Sequence, residues 1–346
     1  MSGREGRTRD GSPTATPSSR FDVIGDVHGN ADELVELLKS MGYRDDLSGT
    51  PGTWAHPERT AIFVGDLIDR GPRIADTLDI VYRMWRHAGA LCVLGNHEWN
   101  ALAWSVRAPG GGFLREHTLP HWRQHREFLK LPPALRARAL DWFRKLPFHV
   151  SLDNLRVAHA AWNRSDIAVI DDALARHGGL TDAFLVEAHG IGRLRAAVNW
   201  TLKGPEMTLP RGLELVDKEG KSRREVRVRW FESPAGKTIR SWAIPSDERL
   251  PELPLDEAVL PATEPYAPTE PLVFFGHYWL SGATPAPLAT NLVCLDWSVA
   301  KGGPLCAYRF DGEAIADPGR MRTVRKVDGQ TFEYERLLPL PTEAVS

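Results

Sequence analysis

Short apolar runs that stop on a polar side chain recur through this chain, and their repetition restricts the fold more than any other feature. FDVIGD (21–26), AIFVGD (61–66), LCVLGN (91–96), LRVAHA (155–160), LVFFGH (272–277) and LVCLDW (292–297) are each about strand length and rich in Val, Ile and Phe. Near-continuous hydrophobicity of this kind suits strands covered on both faces. Between the first two, ADELVELLKSMGY sets Leu34, Leu37, Leu38 and Met41 on one helical face. Asn30 is placed to cap that helix, Asp32 and Glu33 lie in its first turn, and Gly42 falls just past its end. Residues 73–88 repeat the helical pattern through Ile74, Leu78, Val81 and Trp85. Strand, helix, strand, helix, strand predicts parallel βαβ units in an α/β fold.

The polar ends of the runs form a chemically coherent set. In an open α/β sheet, ligands bind in the crevice beyond the carboxyl ends of the strands. Five runs end there in metal-binding residue types: GDVHG with Asp26 and His28, GDLIDRG with Asp66, Asp69 and Arg70, GNHE with Asn96 and His97, VAHA with His159, and FGHYW with His277. Glycine precedes Asp26, Asp66, Asn96 and His277, which removes a Cβ where backbone and ions must come close. A mixed Asp, Asn and His set suits manganese, iron or zinc better than calcium. Two such ions about 3.5–4 Å apart can clamp the oxygens of an in-line phosphoryl displacement. A carboxylate shared between them is then needed, and Asp66, on the middle motif, is the candidate. The bland alternative, coincidence of polar residues at strand ends, has to be invoked five times over.

In that order and at those spacings, GDVHG, GDLIDRG and GNHE resemble the calcineurin-like metallophosphoesterase superfamily, in the branch holding phosphoprotein phosphatases and bacterial diadenosine tetraphosphatases. WFRKLPFHV…LRVAHA, FFGH and LDWSVAKGG are similar to later blocks of that branch, so the resemblance covers most of 21–310. It implies an α/β fold of the metallophosphoesterase type, a β-sandwich flanked by helices (α-β-β-α). The domain would be single, over 21–346, with a helical and hairpin insert lying mostly in 161–271. The resemblance further implies that Asp26 and His28 hold the first of two divalent ions, that Asp66 bridges, and that Asn96, His159 and His277 hold the second. His97 would be the general acid to the leaving oxygen, oriented by Asp69, and Arg70 would grip the phosphate. Manganese is the first expectation for the ions, with iron, zinc and nickel as alternatives.

Elementary chemistry supports the same roles. Ions of this kind lower the pKa of a shared water from about 15.7 toward neutrality, so no covalent enzyme intermediate is required. A leaving oxygen needs a proton, and a positioned imidazolium supplies one at a gain of ~10²–10⁴ in rate. A neighbouring carboxylate such as Asp69 raises the imidazole pKa and fixes its orientation. The planar guanidinium of Arg70 fits phosphate bidentately, as lysine cannot.

Departures from the family pattern shape the remaining expectations. The histidine block reads HAAW where glycine usually follows, so Ala161 and Trp162 would reshape the adjoining wall. Trp279 stands where nucleases and phosphodiesterases of the wider superfamily often carry a second histidine, which weakens a repair-nuclease reading. LDWSVAKGG resembles the tetraphosphatase tail more than that of eukaryotic protein phosphatases. No second phosphate-gripping arginine is evident; Lys203, in NWTLKGPE, is the candidate clamp, weighed against a solvated loop lysine. Glu98 is expected to cap the helix after GNHE. His117, His121 and His125 are spaced by four, but Pro120 interrupts and no carboxylate partner is evident nearby, so no further metal site is expected. Arg227 and Arg229 alternate with Val226, Val228 and Trp230 as on a half-buried strand with a solvated basic face, polyphosphate or RNA contact being the sharper alternative. Trp99, Trp162 and Trp279 adjoin motifs and could stack a base, though most tryptophans simply pack.

Composition bounds partners and compartment. The 346 residues carry 43 Lys and Arg against 45 Asp and Glu, a net charge of −2, so no global field draws the chain to nucleic acid or an anionic membrane. No stable nucleic-acid partner is expected. No apolar run approaches the roughly 20 residues that span a bilayer. Residues 1–20, rich in Ser, Thr, Pro, Gly and Arg, read as a disordered tail without the apolar core of a secretory signal. Cys92, Cys294 and Cys306 are odd in number and widely spaced, which argues against disulfides and a zinc cage and for a cytoplasmic home. The expected partner is a phosphorylated small molecule or nucleotide, leaning to a diadenosine-tetraphosphate-like substrate. A Ser/Thr phosphoprotein phosphatase is the enzyme alternative, and a non-catalytic phospho-ligand binder the other. The last requires a lost ligand or acid, and none of the seven metal and acid positions is missing.

Overall fold

In chain order, β1 (Phe21–Ile24), α1 (Ala31–Ser40), β2 (Thr60–Phe63), α2 (Ile74–His87), β3 (Leu91–Cys92) and α3 (Asn96–Ser105) alternate as expected. Two helices, α4 (Leu119–Leu129) and α5 (Pro133–Phe143), lead into a hairpin of β4 (His149–Leu152) and β5 (Leu155–Ala158). Three more follow, α6 (Arg164–His177), α7 (Asp182–His189) and α8 (Arg193–Lys203). A region of short pieces comes next: β6 (Glu206–Thr208), β7 (Leu215–Val216), β8 (Ser222–Arg223), β9 (Glu225–Arg227) and α9 (Ile239–Trp242). The chain ends in β10 (Leu272–Phe275), β11 (Leu292–Cys294), β12 (Leu305–Phe310) and β13 (Met321–Val324). The computed structural model describes residues 20–216, 222–256, 260–282 and 284–326. The tail expected over 1–20 lies, apart from Arg20, outside the described residues, as do positions 217–221 of the expected hairpin.

Among the described residues, β6 pairs with β9 and β7 with β8, and the other nine strands form two main sheets. One has the order β13-β12-β1-β2-β3 and the other β11-β10-β5-β4. Val23 of β1 packs in one core with Ile62, Val64, Val157, Phe274 and Val293, whereas its neighbour Ile24 packs in another with Phe63, Leu34, Leu38, Leu78 and Val81. That switch at successive residues is the period-two pattern of a strand buried on both faces. The first core fills the space between the sheets, and the second seats α1 and α2 on the outer face of the first sheet. This is the α/β sandwich expected from the sequence. A small third core of Met207, Leu209, Val226, Val228 and Trp242 holds the 205–271 region together.

Strand direction fixes the place of the motifs. β1, β2 and β3 run parallel in the first sheet, and β5, β10 and β11 run parallel in the second. Their carboxyl ends deliver the polar termini to a common rim, as the next subsection describes in atoms.

Several local expectations are corrected. Asn30 stands at the N-cap of α1 but caps nothing with its side chain; Nδ2 donates to the carbonyls of Val27 and His28 and ties the GDVHG turn instead. β3 stops at Cys92, because Leu94 N–H turns away to the Pro147 carbonyl at 2.8 Å. Lys203 closes α8 and is not a loop residue. Ala161 and Trp162 are buried in the inter-sheet core. The three cysteines are free and buried, and among the described residues no helix is long and apolar enough to cross a membrane.

Candidate metal centre

The turns that follow the strands are strained. Among the described residues, seven without glycine's freedom have positive φ, and six of them are His28 (47°), Asp66 (52°), Asp69 (68°), Arg70 (71°), His277 (73°) and Trp279 (55°). Such conformations cost on the order of 1–3 kcal/mol each and persist where surrounding structure over-determines them, typically at functional sites. Two glycines show how close the approach is. A Cβ on Gly276 would fall on Asp26 Oδ1, and one on Gly95 would meet Asp66 N and Oδ1.

Asp66 lies at the middle. Its Oδ2 is 3.4 Å from His159 Nε2, 3.6 Å from His28 Nε2 and 3.9 Å from His97 Nε2, while Oδ1 accepts the His97 backbone N–H at 2.9 Å. Two groups of metal-capable atoms meet on it: His28, Asp66 and His97, and Asp66, His159 and His277, the atoms within each group lying within 4.8 Å of one another. Asn96 Oδ1 is 3.0 Å from His159 Nε2, and Asp26 Oδ2 accepts the His277 backbone N–H at 3.0 Å. The six residues expected to hold ions are therefore brought together, with His97 beside them.

Hydrogen bonds behind the rings aim their nitrogens. His28 Nδ1 donates to the Ile68 carbonyl at 3.0 Å and His159 Nδ1 to the Val64 carbonyl at 2.7 Å. A carbonyl only accepts, so each Nδ1 carries a proton. At His28 this leaves Nε2 for the cluster, the arrangement in which metal-binding imidazoles are commonly held. At His159 the Asp66 carboxylate outweighs burial and raises the ring pKa to about 10, a charge that a bound cation would displace. Asp26 Oδ1, His28 Nε2 and His277 Nε2 are buried with no hydrogen-bond partner among the described residues. Buried polar atoms left unpaired are costly unless something else satisfies them. Burial holds His28 down to about 3 and lowers His277 as well, so both offer neutral lone pairs. Burial first, and the Asp296 carboxylate next, push Asp26 well above the usual carboxylate range, a strained anion that a cation relieves. This donor set fits divalent metal ions.

Beside the cluster, Asp69 Oδ2 lies 2.6 Å from His97 Nδ1. Burial disfavours a charged ring at His97, but the Asp66 and Asp69 carboxylates outweigh it and raise the imidazole above its ordinary value. The Arg70 guanidinium lies 4.1 Å from the Trp279 ring centroid, and Lys301 Nζ lies 3.8 Å from it. Trp279 thus carries two cations, and Trp99 and Trp162 are buried in the core, so none of the three is placed to stack a base as the sequence allowed. Lys203 donates to Asn199 Oδ1 at 2.9 Å and is not drawn into the cluster; burial and then Arg115 lower its ammonium, with Arg195 and Arg227 also near.

Four contributions escaped the sequence reading. Glu98 does more than cap α3: besides Gly95 N–H, it accepts the N–H groups of Asp66, Leu67 and Ile68. Arg227 is half-buried, and its Nη1 donates to the His277 carbonyl at 2.9 Å. Asp296, inside the quoted LDWSVAKGG block, accepts from Trp279 N–H at 2.7 Å and Ser298 N–H at 3.0 Å. His125 does have a carboxylate partner, since its Nδ1 lies 2.7 Å from Asp69 Oδ2. Its companions in the stripe go elsewhere: His117 stacks on Trp104 and Phe113 at 3.8 and 4.0 Å, and His121 Nδ1 donates to the Glu116 carbonyl.

The family model for calcineurin-like phosphoesterases matches residues 19–277. An asymmetrical bis(5'-nucleosyl)-tetraphosphatase, PrpE, of Geobacillus sp. (strain WCH70) is 36% identical over 155 residues, 43% of this chain and 60% of that protein. A symmetrical bis(5'-nucleosyl)-tetraphosphatase of Vibrio cholerae is 31% identical over 138 residues, 40% of this chain and 43% of that protein. The chain thus spans about half the length of these relatives. A cold-active protein tyrosine phosphatase of known structure is 18% identical, with a TM-score of 0.47 over 88% of this chain and 78% of that chain. The family match takes in well over half of the sequence and every one of the five motif ends: the chain belongs to the calcineurin-like phosphoesterase family.

Proposed function

We propose that the chain is a dinuclear metal-dependent phosphoesterase that hydrolyses a phosphate ester or anhydride, with a dinucleoside tetraphosphate as its leading substrate. The observation that carries this reading is the pair of buried donor groups meeting at Asp66, with donor atoms left unpartnered by the protein. Two divalent ions, manganese foremost, supply charge neutralisation and water activation when bound in such a site. Asp26 and His28 are assigned to the first ion, Asn96, His159 and His277 to the second, and Asp66 to both.

The chain's own groups do the rest. His97 gives its Nε2 proton to the leaving oxygen, and Asp69 holds the ring by Nδ1 so that Nε2 faces the reaction. Arg70, steadied over Trp279, grips the phosphate that is attacked. Lys203, with Arg227 and Arg115 as cationic neighbours, is read as a contact for phosphates farther along the substrate. A cationic rim of this kind suits a polyphosphate. The tetraphosphatase names of the relatives support the same choice. Residues 21–346 are read as one domain with 161–271 as its elaboration, supported by the bond from Arg227 to His277. The cytoplasm is the proposed compartment, in keeping with three free thiols.

Protein stripped by chelator should lose p-nitrophenyl phosphate hydrolysis and regain it with manganese. Diadenosine tetraphosphate should then be turned over faster than a phosphoserine peptide under the same conditions. Absence of turnover with manganese, iron, nickel and zinc alike would mark a non-catalytic binder, and preference for the peptide would transfer the assignment to a protein phosphatase.

A further inference from the structure

His125 comes from α4, a helix outside the five motifs, yet it is fully buried and reaches the carboxylate behind His97. The two imidazoles converge on one oxygen: Nδ1 of His97 at 2.6 Å and Nδ1 of His125 at 2.7 Å from Asp69 Oδ2. The His125 approach falls outside hydrogen-bond geometry, so this ring meets the carboxylate as a close polar contact, and neither of its ring nitrogens has a hydrogen-bond partner among the described residues. Asp69 Oδ1 is likewise buried without a hydrogen-bond partner among the described residues, so the groups that fix this carboxylate are the two rings. A carboxylate held by one donor can rotate about its terminal bond, whereas a second ring from a different helix, set 2.7 Å from the same oxygen, blocks that rotation. The plane of the carboxylate sets the plane of the His97 ring, and hence the direction of the His97 Nε2 proton.

We infer that His125 is a positioning residue for proton delivery, a third member of a His125–Asp69–His97 chain through which the docking of α4 sets the aim of the acid. The inference rests on the reading of His97 as that acid. In the step it serves, the His97 Nε2–H bond breaks, the proton joins the leaving oxygen, and the bond from phosphorus to that oxygen takes its electron pair to the same atom. Leaving groups that are stable as anions need the proton little; poor ones need it fully. The consequence of a misaimed acid is therefore selective.

The test compares p-nitrophenyl phosphate, a good leaving group, with phenyl phosphate, a poor one, on manganese-loaded protein. His97→Ala should lower kcat for phenyl phosphate far more than for p-nitrophenyl phosphate. His125→Phe, which keeps ring volume and removes the polar contact to Asp69, should do the same more weakly, about tenfold on phenyl phosphate out of the ~10²–10⁴ that a general acid supplies. On p-nitrophenyl phosphate it should change kcat less than about twofold, with KM unmoved. His125→Asn, whose amide nitrogen takes the place of Nδ1, should restore phenyl phosphate turnover. If His97→Ala shows no leaving-group selectivity, the acid reading itself fails. If His97→Ala is selective while His125→Phe is not, or lowers both substrates equally, the positioning role alone is overturned. Wild-type protein gives a reading independent of any variant: ring nitrogen-15 shifts should place a proton on His125 Nδ1, and a neutral ring protonated only on Nε2 overturns the proposal.

Discussion

Asp66→Asn should lower turnover by ~10³–10⁵, the loss expected when several kcal/mol of metal-dependent transition-state stabilisation disappear. The substitution is nearly isosteric. It keeps an oxygen for the His97 backbone N–H, and asparagine tolerates the left-handed backbone at φ 52° better than alanine would. What it removes is charge. Burial works against the Asp66 anion, but His159, His97 and His28 outweigh burial and hold the carboxyl well below its usual range. Asp66 is therefore the ionised centre around which three imidazoles gather, and both donor groups depend on it. Equilibrium dialysis against manganese should show stoichiometry falling from about two ions per chain to one or fewer, in step with activity. Turnover within tenfold of wild type at saturating manganese would remove Asp66 from the bridging position.

Residues such as Asp66 could be found from sequence because their signal is local. A strand that must be apolar along both faces and yet stops on Gly-Asp, Gly-Asn or Gly-His advertises the rim where it ends. α1 was legible for the same reason: Leu34, Leu37, Leu38 and Met41 all lie buried on one face of it or at its close. Contacts made by insertions carry no such signal. Nothing near His125 in the chain announces Asp69, and the stripe it shares with His117 and His121 points toward a cluster that does not form. Only when α4 docks does one of the three reach the site. Arg227 is a similar case. Its alternation with Val226 and Val228 reads correctly as one buried face of a strand, but period-two logic assigns the other face to water by default. The His277 carbonyl takes up the Arg227 guanidinium instead, a tertiary contact with no counterpart in periodicity. Asn30 erred in the opposite direction. Its cap preference is genuine, but the nearby carbonyls of the GDVHG turn compete for the same amide and win.

Glu98→Gln should destabilise the fold by about 3–5 kcal/mol and weaken metal binding ~10–100-fold, although Glu98 is not assigned to any ion. Glu98 is fully buried; burial and then the Asp66 anion push its carboxyl up to about 7, and in its ionised form it only accepts. Oε2 takes the N–H groups of Asp66 at 2.8 Å and Gly95 at 3.1 Å, and Oε1 those of Leu67 at 2.8 Å and Ile68 at 3.2 Å. Those four donors belong to the two turns that present Asp66 and Asn96, so one side chain locks the GDLIDRG and GNHE loops together. Glutamine has the same shape but only one accepting oxygen. Whichever way its amide is turned, an NH2 group faces two backbone N–H donors that have lost their partner, and a buried donor without an acceptor carries its full desolvation cost. The loops must then part, and Asp66 moves with them. Urea denaturation of metal-free protein isolates the folding term, and manganese titration of the same variant gives the second. A variant that melts and binds manganese as wild type does would show that the two turns are held by something other than Glu98. An equal loss in Glu98→Ala and Glu98→Gln is the signature of a carboxylate whose charge and double acceptance, more than its bulk, hold the centre in place.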